Sequence, residues 1–346
     1  MGFIEENDIP NEADVLYSFD INTDACIGCG LCEAFCPVNV FEMHEITVEE
    51  KNAGDLRARK PVAVFSSRCW GCETCVGQCP QHALRISGEG VGDVFAGREK
   101  AEPLPLDERA LYEEWATVLK DILKLRWEPV AITLVKAGAP LPDVPIPQER
   151  MRYCQSLMAA RRGRSIMLPA NRHACPDGTS ILGLTGIPDK LASGELYILF
   201  HKLHSMEAAR QMVAERPSLP ERSIDATVVT PLAQAACTPD VIAVVAQPEQ
   251  MMWLCMSASY YTGHRFEFHA SGYNAQCVET TLYPYTQGEP NISFGCYGCR
   301  ASSDVSDDLM FMGIPREVMP TVINGLRELG KKAISQSRAK IYLPPL

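Results

Sequence analysis

The chain has 346 residues, enough for two domains rather than one small one. Its 46% hydrophobic content is that of a folded globular protein, and no run of eighteen apolar residues is present to span a membrane. The net charge of −11, without any basic stripe carrying interleaved aromatics, argues against nucleic-acid binding.

The chain opens with an acidic segment, Met1-Gly2-Phe3-Ile4-Glu5-Glu6-Asn7-Asp8, which lacks the basic and apolar regions of a secretory leader. The expected location is therefore cytoplasmic. Charge is unevenly placed: residues 1–128 hold 24 Asp and Glu against 12 Lys and Arg, whereas residues 129–346 hold 19 against 20. The acidity of the N-terminal part reads either as a solvated face or as a docking face for a basic partner, since charge complementarity speeds encounter.

Within that part the pattern C-x2-C-x2-C-x3-C-P occurs twice, 43 residues apart. The first copy is Cys26, Cys29, Cys32, Cys36 and Pro37; the second is Cys69, Cys72, Cys75, Cys79 and Pro80. Zinc sites favour two separated cysteine pairs, and disulfide frameworks belong to small secreted chains. Neither produces two four-cysteine runs ending in Cys-Pro. The pattern resembles that of bacterial two-cluster ferredoxins over about residues 15–90, including the short apolar stretches at 15–19 and 61–65 and a strand at 84–86. The resemblance implies two [4Fe–4S] clusters with crossed ligation, because the cysteine before proline serves the other cluster. One cluster would take Cys26, Cys29, Cys32 and Cys79, the other Cys69, Cys72, Cys75 and Cys36. Residues 42–60 are longer than the matching part of a small ferredoxin and read as a surface loop or hairpin. Fifteen cysteines with labile clusters point to an anaerobic cell.

Gly88, Gly90, Gly92, Pro103 and Pro105 mark a linker, placed at 91–106. Residues 107–126 read as a helix, with Leu111, Trp115, Val118, Leu119, Ile122 and Leu125 at helical spacing and Pro129 as its stop. Strand-like runs follow at 130–135, 196–200, 227–229, 241–245 and 292–294, and helical patterns at 150–162, 206–215, 249–261 and 316–329. The expected fold is α+β: a small two-cluster ferredoxin-like domain over 1–90, then a larger α/β or α+β domain with a mixed sheet over 107–346. Gly178, Gly183 and Gly186 do not form a G-x-G-x-x-G fingerprint, and no phosphate-binding G-x-x-x-x-G-K or nucleophile elbow occurs.

Four stretches of the second part resemble the family catalogued as domain of unknown function 169. They are Arg152-Tyr153-Cys154-Gln155 leading to Arg161-Arg162-Gly163; His173-Ala174-Cys175-Pro176-Asp177-Gly178; Leu191-Ala192-Ser193-Gly194-Glu195; and Tyr283-Pro284-Tyr285 through Gly288-Glu289-Pro290-Asn291 to Gly295-Cys296-Tyr297-Gly298-Cys299-Arg300. The resemblance covers most of 107–330 and implies no established reaction.

Seven cysteines lie outside the two motifs. Cys154 and Cys255 fall on apolar helical patterns and Cys237 near an apolar run, so packing explains them. Cys175, Cys277, Cys296 and Cys299 sit in or beside loops rich in glycine or proline, where side chains reach ligands more readily than cores. These four are the candidate ligands of a third iron–sulfur cluster or metal ion. Cys296-x-x-Cys299 also reads as a redox or substrate-binding thiol pair, or as structure alone. A thioredoxin-like pair would follow a strand and open a helix, whereas residues 301–304 read as loop. His173, two residues before Cys175, is a candidate ligand or proton donor, with a surface histidine as the plainer alternative. Arg161, Arg162, Arg164 and Arg172 read as a solvated helix end or as a site for a small anionic substrate; with His173, Arg161 and Arg162 are the catalytic candidates.

These features point to electron delivery: a ferredoxin domain taking low-potential electrons from a cytoplasmic redox protein or enzyme and passing them to a site in the second domain for a reduction or redox activation. The alternative is a non-enzymatic electron-transfer, cofactor-handling or redox-sensing accessory protein.

Overall fold

A computed structural model describes residues 17–50, 54–69, 71–88 and 95–340. The N-terminal unit runs β1 (Ser18–Ile21), α1 (Leu31–Phe35), β2 (Phe41–Glu50), β3 (Gly54–Ala63), α2 (Thr74–Gly77) and β4 (Leu84–Ser87). Each short helix carries the third cysteine of one motif, Cys32 in α1 and Cys75 in α2. β1 and β4 pair antiparallel with Ser18 opposite Ser87. Of the stretch 42–60, residues 42–50 lie in β2 and 54–60 in β3, paired antiparallel with Phe41 opposite Ala63, while 51–53 lie outside the described residues. The core of this unit is small: Tyr17, Val40, Phe41 and Leu84 pack with the buried Cys36, Cys69 and Cys75. A unit with so little apolar interior depends on its cofactors and neighbours for stability. The expected apolar stretch at 15–19 lies partly outside the described residues.

The larger unit runs α3 (Leu106–Leu123), β5 (Val130–Lys136), α4 (Tyr153–Arg161), β6 (Ile166–Pro169), α5 (Pro176–Ile181), α6 (Asp189–Ala192), α7 (Glu195–Leu199) and α8 (Met206–Glu215). It continues through β7 (Ile224–Pro231), β8 (Val241–Ala246), α9 (Pro248–Ala258), a π-helical turn (Val278–Leu282), α10 (Tyr283–Gln287), β9 (Asn291–Ser293), α11 (Tyr297–Ser302), β10 (Met310–Pro315), α12 (Met319–Lys331) and α13 (Ala333–Arg338). Six strands form one sheet in the order β6-β7-β5-β8-β10-β9. The fold is α+β as expected. Each neighbouring pair in the sheet is antiparallel, where the alternation of patterns had pointed to a mixed sheet.

Both faces of the sheet are covered, so its central strands read as unbroken apolar runs. On one face Ile242, Val244, Met312 and Ile314 pack against Trp115 and Leu119 of α3, Leu254 of α9 and Leu326 of α12. On the other, Ile132, Leu134, Val229 and Val241 pack against Tyr153 and Leu157 of α4 and Leu182. These two layers fix where the ends of α4, α5 and α11 meet.

Several expectations need correction. Residues 196–200 lie in or directly after α7 rather than in a strand. Leu196 and Tyr197 pack with α1 of the first unit as well as with α8, so the segment is apolar on more than one side and loses its helical period. α3 ends at Leu123, where Lys124 takes a left-handed conformation (φ 61°) and donates its N–H to the Lys120 carbonyl, ahead of Pro129. The described part of the expected linker is bound to the larger unit. Ala101 N–H reaches the Leu141 carbonyl at 2.8 Å, Leu141 N–H reaches the Glu99 carbonyl at 2.8 Å, Arg98 pairs with Asp225 at 2.9 Å, and Leu104 is buried in the core. Residues 91–94 of that linker lie outside the described residues. Strands β6 and β10 are additions to the sequence reading.

Candidate iron–sulfur and thiol sites

In the N-terminal unit the two motifs interleave. Cys26, Cys29 and Cys32 share one cavity with Cys79 of the second motif, closed by Met43 and Pro61 of the hairpin. Lys60 anchors this loop from below, donating to the Thr23 carbonyl at 2.8 Å and to the Cys26 carbonyl. Gly28 turns here at φ 70°, with the Arg59 carbonyl where a Cβ would sit, so the loop closes only with glycine. The second group is Cys36 with Cys69, Cys72 and Cys75. Burial first, and then Cys72, Cys36 and Cys69, push the Cys75 thiol upward. Burial likewise raises Cys69 to about 12 and Cys32 to about 11. Bound iron would displace these protons, as metals do at coordinating thiols.

Donors already face these sulfurs. Val40 N–H meets Cys36 Sγ at 3.2 Å, Gly71 N–H meets Cys69 at 3.3 Å, Thr74 Oγ1 meets Cys72 at 3.4 Å and Ala83 N–H meets Cys79 at 3.3 Å. The residues present therefore fit two polynuclear iron–sulfur groups. The groups differ in depth: Cys29 is exposed, whereas Cys36, Cys69 and Cys75 are buried.

The buried group faces the larger unit. Phe35, next to Cys36, packs among Leu191, Leu196, Tyr197 and Ala209, with its ring 4.9 Å from that of Phe200, edge to face. Lys190 donates to the Glu33 and Ala34 carbonyls at 2.7 and 3.0 Å, satisfying the end of α1. Tyr17 packs so closely on Gly71 that a Cβ there would lie 2.7 Å from its ring. Its hydroxyl accepts from Arg150 Nη1, and Arg150 Nη2 donates to the His173 carbonyl at 2.7 Å. Tyr17, Arg150 and His173 thus join the Cys69 loop to the larger unit.

Beyond that junction lies a cluster of thiols, termed the thiol pocket, built from four chain segments: the start of α4, the turn into α5, the turn before the π-helix, and the start of α11. It brings together all four cysteines singled out from the sequence, Cys175, Cys277, Cys296 and Cys299. Burial, followed by the proximity of Cys175, Cys296, Asp177 and Cys299, raises the Cys277 thiol. Burial and then Asp177 raise Cys175 to about 11. Cys175 Sγ accepts from Gly178 N–H at 3.4 Å and Cys296 Sγ from Cys299 N–H at 3.4 Å. Cys299 Sγ takes Gln276 Nε2 at 3.6 Å and lies 3.7 Å from Ser303 Oγ. It also meets Cys154, whose thiol is pushed up first by Cys299 and then by burial and whose Sγ lies 3.9 Å from Ser302 Oγ. Cys154 packs, as expected of it, in an apolar cluster with Met158, Val245 and Phe311, and through Cys299 it also borders this site. Its helical pattern gave no signal of that; the side chain that shows it comes from a segment 145 positions away. Cys296-x-x-Cys299 does follow a strand and open a helix, correcting the loop reading.

His173 is buried (1% exposed), not a surface histidine. Its Nδ1 accepts from Cys175 N–H at 3.3 Å, and its buried Nε2 has no partner. Burial, then Arg150 and Arg152, lowers its pKa to about 3, so the ring is neutral. Gly178 lies between His173 and Cys277: a Cβ there would come within 3.0 Å of His173 Cε1 and 3.1 Å of Cys277 Sγ. Asp177 holds this turn in place, accepting from Tyr197 at 2.6 Å and from Arg216 and Asn274.

Arg161 and Arg162 do not join His173. They stand at the far end of α4, about 10 Å along its axis from Cys154. Arg161 is buried and donates to the Val245 carbonyl at 3.5 Å, and burial lowers its pKa to about 10. Arg162 pairs with Asp304 and stacks over Trp127 at 5.5 Å. Cys255 and Cys237 lie elsewhere; Cys237 Sγ contacts Thr133 Oγ1 at 3.3 Å. Among the described residues, no three Cys, His, Asp or Glu side chains close on a point as a single metal ion requires.

Interleaved cysteine motifs docked on an α+β unit define an iron–sulfur protein of ferredoxin type with a second, thiol-bearing domain. Residues 25–83 match the 4Fe-4S dicluster domain. Residues 118–325 match the uncharacterised ArCR family, domain of unknown function 169, and the chain belongs to that family. It is 27% identical over 216 residues to the uncharacterized protein MJ0308 of Methanocaldococcus jannaschii, covering 62% of this chain and 92% of that one. It is 27% identical over 71 residues to ferredoxin-3 of Nostoc sp., covering 19% of this chain and 73% of the ferredoxin. The ferredoxin of Pyrobaculum islandicum is 28% identical over 100 residues, covering 28% and 81%. No solved structure matches the chain. No helix of the described residues is long and apolar enough to cross a membrane.

Proposed function

We propose that this chain is an electron carrier fused to its own acceptor. The ferredoxin-like unit, residues 1–90, would hold one [4Fe–4S] cluster on Cys26, Cys29, Cys32 and Cys79 and another on Cys69, Cys72, Cys75 and Cys36. When bound, such groups exchange one electron at a time. The first site meets the outside through exposed Cys29 and the 64% exposed Ile27, which suits an external low-potential redox protein of an anaerobic cytoplasm. The second is buried against the larger unit. The observation that carries the reading is the junction of Tyr17, Arg150 and His173, which ties the Cys69 loop to the thiol pocket. Electrons arriving there would reduce a third metal group or a small oxidised substrate, and Arg152 and Lys202 supply positive charge for an anionic one.

The test is rapid mixing of the anaerobic, cluster-loaded chain with a reduced viologen. Reduction within the second domain should follow that of the ferredoxin unit at a rate independent of protein concentration. A rate proportional to protein concentration would rule out delivery within one chain. A second reading, an accessory protein whose pocket is covered by a partner enzyme, draws support from Phe294 (54% exposed) and Tyr297 (68% exposed) on either side of Cys296. It predicts a stable complex that Tyr297→Ser weakens.

A further inference from the structure

The ferredoxin sites and the thiol pocket share a set of features. In both, cysteines from distant segments converge, several are buried, and sulfurs accept backbone N–H groups: Cys36, Cys69 and Cys79 in the first unit, Cys175 and Cys296 in the second. A polynuclear group needs thiols farther apart than one zinc ion does, because each sulfur binds a different iron. Positive groups also surround the pocket: Arg152 lies by Cys175, Lys202 by Cys296 and Arg300 by Cys299. Four thiolates around an iron–sulfur core carry net negative charge, which these cations offset.

His173 adds a second, independent observation. Because Nδ1 accepts the Cys175 N–H, the proton of the neutral ring is on Nε2. That N–H is buried without an acceptor and shares with Cys277 Sγ the space around Gly178. A buried donor left unpaired costs about 1–3 kcal/mol, so an acceptor belongs in the pocket. Since Nε2 carries the proton, His173 donates to that acceptor and does not ligate a metal.

We infer that Cys175, Cys277, Cys296 and Cys299 hold a third iron–sulfur cluster, and that His173 Nε2–H is a hydrogen-bond donor to one of its sulfurs. This rests on the reading of the pocket as the electron acceptor and gives that acceptor a chemical class. Adding one electron raises the negative charge on the group, and donors aimed at sulfur stabilise that charge. The His173 donor therefore raises its potential above that of a site lacking it and favours electron flow from the ferredoxin unit.

The experiment uses the full chain purified without oxygen. Iron and sulfide should each reach about twelve per chain, against about eight for two cubanes alone. Cys277→Ser should lose about four irons while the paramagnetic signals of the ferredoxin unit persist. Cys255→Ser, on α9 away from the pocket, should keep the full count and serve as the folding control. His173→Phe should keep the iron count and lower the potential of one centre alone. Two clusters only, with Cys175, Cys277, Cys296 and Cys299 all open to alkylation, would overturn the inference, as would one zinc bound there. An unchanged potential in His173→Phe would remove the donor role. If the third cluster is present but takes no electrons from the ferredoxin unit, the delivery reading fails and the ligand assignment stands.

Discussion

Replacing Phe35 with alanine is the sharpest probe of how the two units are joined. Phe35 is 7% exposed and sits at the end of α1 among Leu191, Leu196, Tyr197 and Ala209, with the Phe200 ring edge-on at 4.9 Å. Truncating a buried phenylalanine costs about 3–5 kcal/mol, of which the edge-to-face pair supplies about 0.5–1.5 kcal/mol. The lower end applies at a junction between two units, since they can part and let water in. About 3 kcal/mol corresponds to a hundredfold shift toward the undocked arrangement, at about 1.4 kcal/mol per tenfold. Hydrogen exchange of the α7 and α8 amides on the cluster-loaded chain reads this directly, because those helices form the receiving surface. Protection should fall by about two orders of magnitude there and stay unchanged in β5 and β8. Phe35→Leu should cost under about 1.5 kcal/mol. A double-mutant cycle with Phe200→Leu should isolate the ring pair at about 1 kcal/mol. Unaltered protection in α7 and α8 of the alanine variant would refute the packing argument.

Arg150→Met removes the donors to the Tyr17 hydroxyl and the His173 carbonyl; charged hydrogen bonds contribute about 1.5–3 kcal/mol each, and stopped-flow reduction of the second domain should slow at least about tenfold. Asp177→Asn breaks a buried pair with Arg216 and should destabilise the larger unit by about 3–5 kcal/mol, seen as a lower urea midpoint. Burial raises the Asp240 carboxyl above its ordinary 3.8, so the native state binds more protons than the unfolded chain just above that pH. Stability contributed by this group is therefore lost as pH rises through the raised value. Asp240→Asn, which keeps an acceptor for the Leu134 N–H, should flatten the decline in a urea series taken from pH 4 upward, at roughly neutral cost elsewhere. Gly178→Ala should disturb His173 and Cys277 together, costing about 1–3 kcal/mol and lowering the iron content expected of the proposed third site.

The parts legible in the sequence were those written at short range. The eight motif cysteines follow a spacing set by the loops that carry them, and α8 (Met206–Glu215) is bounded as its periodicity indicated. What escaped depended on contacts across the fold. The run Leu196-Tyr197-Ile198-Leu199-Phe200 looks like a strand because it meets apolar partners from both units. β6 is four residues long and bounded by Pro169, too short to show alternation. The loop cysteines were recognisable by their glycine and proline neighbours, but Cys154 sits on an amphipathic helix like any packing residue. Arg150 and Tyr17 lie 133 positions apart, and nothing local marks them as a pair.

The pairing of β1 with β4 gives the N-terminal unit a single seam. Its chain enters at Ser18 and leaves at Ser87, opposite one another on neighbouring strands. A segment whose two ends meet can be grafted onto another protein as a loop is, without threading either fold through the other. The larger unit then needs only a surface to receive it, supplied by Lys190 and the α6–α8 helices, and one strut, Arg150. Such an arrangement lets the redox appendage change its outward cysteine loop while the inward one stays fixed by the host.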